Sequence, residues 1–127
     1  MKSYTNLEQS KKLAEILPLE TADMFLAMNG TIPVMSKYID DGLVTADETA
    51  IPCWSLVALL DILPNNENIS TNLSKGGYKI STLEYTNSWF VEYEDETDYL
   101  NNYVASADNP VDACVEMIIH LNKLNLL

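Results

Sequence analysis

Histidine and cysteine are the side chains best suited to chemistry near neutral pH, and this chain of 127 residues has one of the first and two of the second. A catalytic triad needs its histidine between a nucleophile and an acid, and a structural zinc site needs four nitrogen and sulfur ligands. His120 has no such company in the sequence. It falls near the end of a helical pattern, where a cation suits the helix dipole, and Lys123 follows it. Cys53 and Cys114 would become nucleophiles or a redox pair if a cation or a helix N-terminus lowered their pKa. Each falls close to an expected helix start. Yet their neighbours are Trp54, Leu56, Val111 and Val115, and small buried core residues are the reading that fits.

The carboxylates are numerous enough to fall together by chance. Asp40, Asp41, Asp47 and Glu48 are close in sequence, but neither their spacing nor Gly42 matches a calcium loop. Glu92, Glu94, Asp95, Glu96 and Asp98 form a denser acidic run, either a hydrated loop or a weak site for a divalent ion or a basic partner. Gly76-Gly77 leads into Tyr78-Lys79 and a strand pattern rather than a helix N-terminus, so it makes no phosphate cradle. These patterns lead us to expect no catalytic residue, no metal and no cofactor.

Charge narrows the partners. Nineteen acids oppose seven lysines, with no arginine, for a net charge of −12. Residues 1–39 are balanced, four acids against four lysines, and the rest of the chain carries fifteen acids against three lysines. Such a field repels phosphate backbones and anionic membranes, which bind through paired cations and released counterions. Direct nucleic-acid binding is therefore excluded as an expectation. In the same acidic half, Tyr78, Tyr85, Trp89, Phe90, Tyr93, Tyr99 and Tyr103 are crowded together. Aromatics rimmed by charge are a common interface composition. The candidate protein-binding residues are Trp89, Phe90, Glu92, Glu94, Asp95, Glu96 and Asp98.

The elements that must position them follow from capping and periodicity. Thr5-Asn6-Leu7-Glu8 reads as a capping box opening a helix that ends at Leu17, before Pro18. Asn29-Gly30 suits a type I′ turn between Met24–Met28 and Ile32–Met35, with Pro33 pushing its strand to an edge. Thr45-Ala46-Asp47-Glu48 reads as a second capping box. Pro52 to Leu63 reads as a helix apolar nearly all round, with Pro52 in its first position. Tyr78–Tyr85 and Ser88–Tyr93 read as a second hairpin joined through Thr86-Asn87, and the alternation in Trp89–Tyr93 marks a half-buried strand whose Trp89 and Phe90 face opposite ways. Asn109 caps a last helix with Pro110 in its first position. The expectation is one α+β domain over residues 1–127. Its order is α-ββ-α-ββ-α, with one antiparallel sheet of two hairpins covered by about three helices.

Met1-Lys2-Ser3-Tyr4 leads into a polar helix with no apolar signal region, and the longest apolar run, Ile51 to Leu63, contains Asp61 and is too short to span a bilayer. Cytoplasmic localisation with reduced thiols is expected.

Three segments carry a resemblance: Tyr4 to Pro18 (YTNLEQSKKLAEILP), Pro52-Cys53-Trp54-Ser55-Leu56, and Asn109-Pro110-Val111-Asp112-Ala113-Cys114. They resemble small uncharacterised proteins carried by prophages and other mobile elements of gut-commensal bacteria. The resemblance covers less than a third of the chain and transfers no functional residue. What it implies is context, an accessory protein that engages a host or phage component. The functional expectation is thus a non-enzymatic accessory protein acting through protein–protein interaction, with homodimerisation open. The alternative is an acidic DNA mimic that inhibits a nucleic-acid-binding enzyme.

Overall fold

Helix α1 (Leu7–Ile16) begins on a capping box, one residue later than expected. Asn6 accepts from the Gln9 amide at 2.8 Å, and the Gln9 side chain accepts from the Asn6 amide at 3.1 Å. Both Thr5/Glu8 and Asn6/Gln9 fit the sequence rule for such a box. What decides between them is that the Thr5 hydroxyl is fully buried and occupied elsewhere. The helix ends where Pro18 requires, with Leu17 extended, and a short 3₁₀ turn (Leu19–Thr21) follows.

The computed structural model describes residues 2–27, 32–35, 51–64, 78–82, 88–93 and 103–127. The chain divides into two compact units, Ser3–Ala58 and Met1–Lys2 with Leu59–Leu127. The fold is α+β, and each unit has its own antiparallel three-stranded sheet.

In the first unit, β1 (Met24–Ala27) lies between β2 (Ile32–Met35) and β3 (Ile51–Cys53). The β1–β2 hairpin pairs Ala27 with Ile32 and Met24 with Met35. The expected Asn29-Gly30 turn and the Thr45–Glu48 capping box lie outside the described residues. Pro33 does sit on an edge strand, as its missing amide demands. So does Pro52, which pairs in register with Phe25. This corrects the expected helix from Pro52: Ile51–Cys53 is a strand, and helix α2 runs only from Leu56 to Ile62. The cause is local. The Ser55 hydroxyl accepts from the Ala58 amide at 3.2 Å and starts the helix there, while the backbone of Trp54 is drawn into pairing with Thr5. Nor is α2 buried all round, since Val57 is 67% exposed.

In the second unit, β5 (Trp89–Tyr93) lies between β4 (Tyr78–Thr82) and β6 (Tyr103–Ala107). Helix α3 (Pro110–Lys123) packs on β5 and β6. It starts as its sequence dictates: Asn109 accepts from the Asp112 amide at 2.9 Å and Pro110 follows. Val111, Ala113, Cys114, Val115, Met117, Ile118 and Leu121 are buried. The helix closes through Asn125 in the left-handed region at φ 57°. There the Leu126 amide donates to Leu121 and the Asn125 amide to Asn122, the Schellman pattern.

Two sheets therefore stand where one was expected. Each hairpin is completed by a short strand of its own unit, β3 beside β1 and β6 beside β5. β6 had no counterpart among the expected elements.

Candidate functional site

Alternation along β5 sorts its residues onto two faces. Val91 and Tyr93 are fully buried, as is nearly all of Ala105, the β6 partner of Val91. These define the face against α3. The Tyr93 hydroxyl finds an acceptor in the Pro64 carbonyl at 2.7 Å, which removes the cost of burying it. Trp89 belongs to this side of the strand and is half-buried.

Phe90 and Glu92 lie on the opposite face and are half-buried. In register, Phe90 pairs with Ser106 and Glu92 with Val104. Val104 is 53% exposed and Ser106 is exposed. This outer face brings together an aromatic ring, a carboxylate, a β-branched apolar side chain and a hydroxyl. Trp89 and Phe90 thus face opposite ways, and Phe90 is the one on the outer side. Of the other candidate residues, Glu94, Asp95, Glu96 and Asp98 lie outside the described residues. Val104 and Ser106 were missed. The only signal was Tyr103-Val104, two good strand formers, and the small residues Ala105, Ser106 and Ala107 that follow add no alternation to it.

The two thiols are placed for packing. Cys53 is fully buried. Its Sγ accepts from the Thr5 hydroxyl at 3.5 Å and donates to the Thr5 carbonyl at 3.3 Å. Burial pushes its pKa up, hydrogen bonds from Thr5 and Ser10 pull the other way, and the charge of Asp23 raises it further. Cys114 is fully buried too, and desolvation pushes it up to about 11. Both thiols are protonated at neutral pH, so neither is poised as a nucleophile.

Polar side chains around Cys53 hold the turn between β3 and α2. The Thr5 hydroxyl is 2.8 Å from that of Ser10 and accepts from the Trp54 amide at 3.1 Å. Buried Trp54 donates its indole N–H to Thr21 at 3.0 Å. Asp23 accepts from the Ser55 amide at 2.9 Å and from the Ser55 hydroxyl through its other oxygen. The geometry of this serine–aspartate pair is that of a capped and anchored helix start. His120 is exposed at the last turn of α3, and its ring lies 5.8 Å from that of Tyr103, tilted by 55°. Lys2 donates to Asp112 at 2.6 Å, and the Asn109 side chain donates to the other oxygen of Asp112 at 2.7 Å.

Comparison with known proteins gives no family: no family model, no curated protein and no solved structure matches the chain. Among the described residues, no helix is long and apolar enough to cross a membrane.

Proposed function

We propose that this protein is a non-enzymatic accessory protein that acts by binding another protein through the outer face of its second sheet. The observation that carries the reading is the asymmetry of β5 and β6. One side is closed by α3 over Val91, Tyr93 and Ala105, while the other leaves Val104 more than half exposed beside Glu92 and Phe90. A β-branched side chain at that exposure, with Glu92 as its cross-strand partner and Phe90 on the same face, matches the mixed apolar and charged composition of an interface. The acidic run Glu94, Asp95, Glu96 and Asp98 follows β5 directly in the chain. It adds long-range attraction for a basic partner, which raises the association rate more than the final affinity. The buried, protonated thiols support the non-enzymatic part of the reading.

Site-specific photo-crosslinking in the producing cell tests this. A photoreactive residue placed at Phe90 or Val104 should give the same protein adduct, and one placed at exposed Glu8 or Glu116 should give none. Equal adducts from all four positions, or none from the sheet, would sink the assignment.

A further inference from the structure

An edge strand presents a row of unpaired amides and carbonyls that will pair with another extended chain unless something blocks them. The two sheets differ in this respect. Both edges of the first sheet are interrupted by proline, Pro33 in β2 and Pro52 in β3, and proline offers no amide. In the second sheet the β4 edge carries Lys79, a common guard. The β6 edge, Tyr103-Val104-Ala105-Ser106-Ala107, has neither a charge nor a proline. Among the described residues β6 pairs with β5 on one side and with no strand on the other.

We propose that β6 is the docking edge, and that its occupant is an extended segment of a partner protein with lysine or arginine at alternate positions. The inference rests on reading this sheet as the protein-binding surface and specifies how it binds. An added strand would have two faces. Residues beside Ala105 fall on the α3 side. Residues beside Val104 and Ser106 fall on the outer side, in the rows that contain Glu92 and Phe90. Glu92 is two strand spacings away, about 10 Å, close to the screening length at physiological salt. Long cationic side chains shorten that gap. The cross-strand partner of Glu92 on the β4 side is Lys79, so the selecting charge is the net charge of the unit rather than Glu92 alone. The second unit as a whole carries eleven acids against four lysines, so the field favours a cationic strand and disfavours an acidic one. A second copy of this chain brings another −12 and a β6 with no cation, and it is the poorer occupant. Affinity comes from the backbone ladder, and the charge selects which strand is accepted.

The test uses the whole protein and a labelled synthetic peptide of alternating lysine and valine. The peptide should bind, and it should slow amide exchange in Tyr103–Ala107. N-methylation of alternate residues, which removes strand-forming donors, should weaken it by at least about tenfold. Glutamate in place of lysine should abolish binding. Val104→Lys or Ser106→Lys, both at exposed positions, should weaken it comparably while leaving the circular dichroism unchanged. Undiminished binding of the N-methylated peptide would reduce the effect to electrostatic adsorption and overturn the proposal. So would no binding at all, or concentration-dependent dimerisation lost in Val104→Lys, which would make a second copy the occupant. A crosslink at Val104 combined with a silent peptide would keep the face as an interface and overturn only the cationic strand.

Discussion

Thr5 shows how a single hydroxyl can be committed to the fold. It accepts from the Trp54 amide, is hydrogen-bonded to the Ser10 hydroxyl, and donates to the Cys53 sulfur, all in fully buried surroundings. Thr5→Val preserves shape and strands those partners, so it should cost about 1–3 kcal/mol for each buried group left unsatisfied. Urea unfolding would measure it, and a loss below about 0.5 kcal/mol would show that water replaces the hydroxyl. The sequence presents Thr5 as a helix cap, because its tertiary partners stand far along the chain. The thiols make a second prediction. The folded pKa of Cys114 is about 11 against an ordinary value of 9.0. Its contribution to stability is therefore complete below pH 9 and is lost as pH rises to about 11, where the unfolded chain binds fewer protons than the native one. Stability should fall across that window, and Cys114→Ala should fall less steeply by urea titration. Parallel curves would mean that the thiol does not report on folding.

At the scale of elements, ends decide more than middles. The start of α3 was legible because Asn109, Pro110 and Asp112 stand in sequence order at the positions a helix start uses. Its end was not, since it turns on Asn125 adopting a positive φ. Asn tolerates that conformation better than most residues, and glycine better still. Asn125→Gly should leave stability equal or slightly higher, and Asn125→Ala should lose about 1 kcal/mol. Equal midpoints for Ala and Gly would mean that the closing turn frays. The short strands were the illegible elements. β3 was hidden because Pro52 is as good a first helical residue as it is an edge-strand residue. β6 was hidden because five residues between an acidic run and a helix cap carry little periodicity of their own. Both are defined by partners distant in sequence, Met24–Leu26 for β3 and Trp89–Tyr93 for β6. The candidate face was half legible for the same reason: the alternation within β5 placed Phe90 and Glu92, while Val104 and Ser106 became neighbours only through pairing.

Across the whole molecule the excess of twelve negative charges acts on folding and on binding with opposite signs. Compaction brings like charges together, so the native state carries more self-repulsion than the unfolded chain. Salt screens this, and the urea midpoint should rise between low ionic strength and about 0.5 M sodium chloride, where the screening length falls to roughly 4 Å. The Lys2–Asp112 pair works the other way, but both side chains are partly solvated and such a pair contributes at most about 1 kcal/mol. A single pair cannot reverse the response of an excess spread over the chain. Association with a cationic strand should show the reverse slope, because the same salt removes the attraction that selects it. Measured on one preparation, the midpoint should climb with salt while the dissociation constant for the lysine–valine peptide climbs too. A salt-independent dissociation constant beside a rising midpoint would place the acids in solubility alone and leave the backbone edge of β6 as the whole of the recognition.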